Sequence, residues 1–187
     1  MSYKIILGVT GSIAAYKAVE VVSSLIKQGN QVTVIMTANA QRFVNPTTFQ
    51  SISKKRVITD LFIDTGEYDP NHVSLAEHAD VIVIAPATAN FIGKVASGIA
   101  DDALTCTVMA ARSPVIIAPA MNDSMYTNPI VQENIRKLKN LHYTIIEPEK
   151  GRLCTGHIGI GRLASIGKII DVINQALTTK KGKQVNE

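Results

Sequence analysis

The chain has no Trp, and aromatic residues fill only 5% of its 187 positions. Without interleaved aromatics there is no stacking platform for unpaired bases. The basic clusters Lys54–Arg56 and Lys180, Lys181 and Lys183 therefore read as solvated surface, and no nucleic-acid partner is expected despite a net charge of +4. What that charge can still do is favour an anionic small ligand. Cysteine is equally scarce. Cys106 and Cys154 are too few for a disulfide framework and lack the spacing of a metal site. With no apolar secretory segment after Met-Ser-Tyr-Lys, the expected setting is reducing and cytoplasmic. Apolar runs such as Val81–Ala87 fall far short of the roughly 20 residues that cross a bilayer, so no membrane partner is expected. Also missing are a G-x-G-x-x-G fingerprint and a Walker Lys-Ser or Lys-Thr. A charged fraction of 18%, without low-complexity segments, argues against disorder.

What is present is a 46% hydrophobic chain of single-domain length, with β-like runs alternating with helical patterns. Unbroken Val/Ile runs end at Pro86 and at Pro119, as strands buried on both faces do, and Pro places their exits near those residues. Lys4–Thr10 and Gln31–Thr37 read as further strands, Val57–Ile63 as a short strand-like run and Tyr143–Glu147 as the last strand. Helical patterns cover Ile13–Gln28, closed by Gly29, and Ala38–Ser53, interrupted at Pro46. A helix follows Asn90, and another starts at Asp101 with two acids in its first turn. Cys106 is expected to be buried on that second helix. Asn128 and Pro129 mark the start of a further helix to Leu141. Four glycines make Pro148–Gly161 a mobile segment, and Ala164–Leu177 is a closing helix. The expected architecture is a three-layer α/β sandwich with a parallel sheet of about six strands, one domain over residues 1–177 and a frayed basic tail at 178–187.

In such folds ligands bind past the carboxyl ends of the strands. That rule gathers Gly11, Ser12, Thr37, Thr88, Asn90, Met121 and Asn122 into one crevice. Gly11-Ser12 at a helix start suits a terminal phosphate, and equally suits an ordinary tight strand-to-helix turn. These residues are small, neutral hydrogen-bonding groups with neither paired carboxylates nor a metal cluster. A cofactor is therefore expected to carry the chemistry.

G-S-I-A-A-Y-K at Gly11, H-V-x-L-A at His72, A-P-A-T-A-N with K-x-A-x-G-x-A-D-D from Ala85, and P-A-M-N-x-x-M-Y-x-N-P from Pro119 together resemble the flavin-containing cysteine decarboxylases. The likeness covers Lys4 to Leu177 and is most marked toward the members acting on phosphopantothenoylcysteine in coenzyme A biosynthesis. It implies a flavodoxin-like, Rossmann-like fold, FMN as cofactor, a phosphorylated cysteine conjugate as substrate, and homotrimers that can assemble into dodecamers. It further implies that a separate ligase supplies the substrate. By position, Gly11, Ser12, Ile13, Thr37, Phe43, Thr88, Ala89, Asn90, Phe91 and Ala120 correspond to flavin contacts. Asn122 and Met125 correspond to substrate contacts, with Asn122 holding the carboxylate. His72 corresponds to the active-site histidine. The implied reaction moves a hydride from the cysteine β-carbon to the flavin, loses CO2 to give an ene-thiolate, and returns the hydride with a proton from a flap cysteine. Here the flap reads Leu153-Cys154-Thr155-Gly156, with Thr155 at the usual cysteine position, so Cys154 is the candidate donor, one residue early. Two other functions share this pattern: oxidative decarboxylation of a peptide C-terminal cysteine, as in lantibiotic maturation, and a non-enzymatic flavoprotein regulatory subunit.

Overall fold

The computed structural model describes residues 2–61, 71–154 and 156–184, with side chains from 71, 72 and 180–184 left aside. Five strands form a parallel sheet in the order β2-β1-β3-β4-β5: β1 Lys4–Val9, β2 Gln31–Met36, β3 Val81–Ala87, β4 Val115–Pro119 and β5 Thr144–Ile145. A sixth strand survives only as a bridge from Ile58 to Ile35, so the expected count of about six is nearly met. The order reverses between β1 and β3, which is the switch point of the flavodoxin-like doubly wound fold.

β1, β3 and β4 are buried on both faces, as their apolar runs require, and successive residues feed opposite cores. Ile5, Leu7, Val9, Val81 and Val83 pack with α1 (Lys17–Lys27), α2 (Pro46–Ser53) and α8 (Ile166–Gln184). Ile6, Ile82, Ile84 and Ile117 pack with α4 (Ala89–Ala96), α5 (Ala103–Met109) and α7 (Pro129–Asn140). On that second face α5 comes very close to the sheet. A Cβ on Gly8 would lie 2.5 Å from Leu104 Cδ1 and 2.7 Å from Ile84 Cδ1. The remaining helices are α3 (Asn71–His78) and the short α6 (Asp123–Tyr126). Among the described residues no helix is long and apolar enough to cross a membrane.

Several local expectations change. The chain enters α1 through a 3-10 turn at Ile13–Tyr16, so the first helix is not continuous, while Gly29 (φ +84) does close it. Asp101 and Asp102 lie outside the first turn of α5. Asp102 is its N-cap, accepting the Thr105 N–H at 2.8 Å in a capping box, and Asp101 is bound by Lys94. Cys106 is half-buried rather than core, because α5 turns Ala103, Leu104, Thr107 and Val108 inward. Its thiol donates to Ala100 O at 3.3 Å, and burial raises its pKa. The glycine-rich segment is largely an ordered antiparallel hairpin, β6 (Glu149–Arg152) with β7 (Ile158–Arg162). α8 extends past Leu177 to Gln184. The loop expected at Asp64–Asn71 falls almost wholly outside the described residues, as does Thr155.

Candidate active site

The carboxyl ends of β1, β2, β3 and β4 open onto one cavity of about 1110 Å³. That is slightly above the roughly 300–1,000 Å³ of small-molecule sites. Its floor begins at the switch point. The buried Thr10 donates its hydroxyl to Pro86 O at 2.8 Å and accepts the Thr88 N–H at 3.0 Å, stitching the exits of β1 and β3 together. Gly11 follows, and a Cβ there would come within 2.5 Å of Asn39 Cβ. The loops after β1 and β2 abut this closely only because position 11 carries no side chain.

The Ser12 N–H is not available to a ligand, because it turns back onto Thr10 O at 2.8 Å. Ser12 Oγ accepts the Ala14 N–H at 3.3 Å. Thr37 Oγ1 accepts from Ala40 N–H, and Thr88 Oγ1 from Phe91 N–H, both at 3.3 Å. A hydroxyl whose lone pair serves such a cap keeps its own proton to donate. Ser12, Thr37 and Thr88 all line the cavity, so its floor offers a set of neutral hydroxyl donors. Asn122 caps α6 through Oδ1, which accepts the Ser124 N–H at 2.9 Å and leaves the NH2 group to donate.

The walls are charged. Lys94 Nζ reaches both Asp101 oxygens at 2.7 and 2.8 Å, and this hydrogen bonding holds the Asp101 carboxyl below its ordinary value. The hairpin supplies Arg152, Leu153, Cys154, Gly161 and Arg162 to the lining. The Met121 N–H donates to Gly161 O at 3.0 Å, and Gly161, at φ +150, packs its Cα on Met121 O, a contact that leaves no room for a side chain.

Most of the residues picked out in the sequence meet here. Gly11, Ser12, Ile13, Thr37, Thr88, Ala89, Asn90, Phe91, Ala120, Asn122, Met125 and Cys154 all line the cavity. Phe91 is 2% exposed, and its ring belongs to the core below the floor. Phe43 is 49% exposed and is not a lining residue of this chain. The backbone of His72 lies in the opening turn of α3, and its side chain falls outside the described residues. Sequence reasoning missed Thr10, Asn39, Lys94, Arg152 and Arg162. Of these only Lys94 carried a signal, as the first residue of K-x-A-x-G-x-A-D-D.

A family model described as Flavoprotein matches residues 1–178. The chain belongs to that family. This flavoprotein is 48% identical over 169 residues to the coenzyme A biosynthesis bifunctional protein CoaBC of Borreliella burgdorferi, a match covering 90% of this chain and 43% of that protein. It is 41% identical over 179 residues to a probable phosphopantothenoylcysteine decarboxylase of Streptococcus mutans, covering 95% of this chain and all of that one. The chain thus spans less than half of the CoaBC relative and the whole of the decarboxylase. Among solved structures, the FMN-dependent cysteine decarboxylase SpaF superposes with a TM-score of 0.83 at 36% identity, covering 95% of this chain and 96% of that one. A cysteine-to-serine mutant of PPC decarboxylase complexed with pantothenoylaminoethenethiol gives 0.81 at 29%, covering 94% and 98%.

Proposed function

We propose that this flavoprotein is an FMN-dependent decarboxylase that converts 4′-phosphopantothenoylcysteine to 4′-phosphopantetheine in coenzyme A biosynthesis. The observation that carries the reading is one cavity in which a neutral hydroxyl floor, an Asn122 amide with its NH2 left to donate, and a thiol-bearing hairpin converge. The floor fits a flavin mononucleotide: Ser12, Thr37 and Thr88 keep hydroxyl protons for a phosphate or polyol chain, and glycine at position 11 keeps the surface low. Bound there, FMN would supply reversible hydride acceptance, which the cysteine β-carbon needs and which no side chain of the cavity offers.

The chain's own residues would do the rest. Asn122 holds the substrate carboxylate through a neutral amide, avoiding the ion pair that would stabilise the ground state against loss of CO2. His72, in the opening turn of α3, accepts the thiol proton or orients the substrate. Cys154, exposed on the hairpin and lining the cavity, delivers the proton that, together with the hydride the reduced flavin would return, converts the ene-thiolate to the saturated product. Ile13, Tyr16 and Met125 also line the cavity yet remain 56%, 57% and 48% exposed. This supports an assembly, trimeric or dodecameric, in which a neighbouring subunit covers the mouth and receives Phe43. The scarcity of cysteine supports a cytoplasmic setting.

One feature favours the peptide-cysteine reading, namely Thr155 where the family's flap cysteine stands. The two readings separate by product mass. Purified protein should be yellow, release FMN on denaturation, and convert phosphopantothenoylcysteine to the saturated thiol. A product two hydrogens lighter, with faster turnover of a peptide ending in cysteine, would establish the oxidative reading instead. Protein that stays colourless after incubation with FMN would overturn both.

A further inference from the structure

The hairpin β6–β7 is not held down by apolar side chains of β7. That strand turns Gly159 and Gly161 inward and leaves Ile158 and Ile160 71% and 36% exposed. Leu153 and Leu163 are buried just beyond the two strands, and between these anchors the seating depends on specific contacts. Besides the Met121–Gly161 bond, these converge on Asp123. His157 Nε2 lies 2.9 Å from Asp123 Oδ2, and a Cβ on Gly159 would meet that same oxygen at 2.6 Å. Asp123 Oδ1 is buried with no hydrogen-bond partner among the described residues. With that oxygen desolvated, the carboxylate's side-chain partner is His157, across a contact open to solvent: His157 is 51% exposed and Asp123 25%. Hydrogen bonding from His157 accordingly holds the Asp123 carboxyl below its ordinary value.

We infer that Asp123 and His157 form a latch that seats the hairpin, and with it Cys154, across the cavity. Neither residue lines the cavity, so both are positioning residues. The Leu153 N–H bonds to His157 O and the Gly156 N–H to Leu153 O, both at 2.9 Å, so the turn bearing Cys154 closes on the residue that makes the latch. The other half of the latch directly follows Asn122. One pair thus fixes the distance between the carboxylate-holding amide and the thiol. The importance given to Cys154 rests on the proposed decarboxylation, whereas the latch itself rests on the contacts alone.

Hydrogen exchange read by mass spectrometry on the purified flavin-loaded protein tests it. His157→Ala and Asp123→Ala should each speed exchange in peptides from 149–162 by about tenfold, with the double variant no faster than either single one. His157→Gln, which keeps an N–H donor for the carboxylate, should restore most of the protection. Gly159→Ala should match His157→Ala while changing no charge. In the same open variants the fraction of product two hydrogens lighter should rise, with FMN content unchanged. Unaltered exchange in His157→Ala and Gly159→Ala overturns the latch, whatever the products are. Faster exchange with an unchanged product ratio keeps the latch and overturns the assignment of Cys154 as proton donor.

Discussion

The floor and the walls of the cavity are built on opposite principles. The floor is neutral, and its polar atoms are fixed by their own backbone: Ser12, Thr37, Thr88 and Asn122 each accept an N–H two or three residues on. The walls are charged and fixed by partners further off, Lys94 by Asp101 and the hairpin by Asp123. A floor made of local caps moves only if the sheet moves, whereas walls made of side-chain pairs can shift without unfolding anything. The rigid part therefore suits groups that must be held still, a resident cofactor and the proposed carboxylate site at Asn122, and the adjustable part suits the rest of a substrate that enters and leaves.

The sharpest way to break this contrast is to put charge into the floor. With Asn122 in its proposed role, Asn122→Asp places a carboxylate beside the substrate's own, and two such charges ~4 Å apart at an effective dielectric of 20 repel by roughly 4 kcal/mol. Turnover should fall roughly a thousandfold while FMN content stays that of the wild type. Near-normal turnover would mean that the carboxylate binds elsewhere. A smaller effect is expected from crowding the floor. Gly11→Ala drives a methyl into Asn39 and should cost about 1–3 kcal/mol as overpacking, read as a lower Tm and reduced flavin absorbance per chain. The smallest effect belongs to the wall. Asp101 is held below its ordinary value of 3.8, so its pair with Lys94 stabilises the fold above that pH and is lost as acid titrates the carboxylate. Lys94→Met should lower Tm slightly at neutral pH and flatten its fall on acidification, with flavin content unchanged.

The same division decides what could be read from the sequence. Runs of Val and Ile ending in Pro located β3 and β4, and strand ends located the floor, because burial on both faces and the missing proline donor act within a few residues. The latch joins residues 34 apart, and no local pattern marks such a pair. The glycines of 148–161 pointed the wrong way for a definite reason. Glycine signals a loop when it is needed for freedom, but Gly159 and Gly161 are needed for close approach, and composition does not separate the two uses. Cys106 failed similarly: its helical spacing was right, but the rotation of the seven-residue α5 is set by Leu104 and Val108, which take the core-facing side.

Leu104 also packs against Gly8. That residue sits inside β1, away from the cavity, and the missing methyl lets Leu104 sink toward the sheet. Asp101, Asp102 and Ala103 immediately precede Leu104 and form part of the cavity wall. The depth at which α5 seats is thus set by an atom that is absent. A side chain there would lift the helix and carry Asp101 and Asp102 with it, so the width of the ligand chamber is partly a property of a strand interior that no ligand touches.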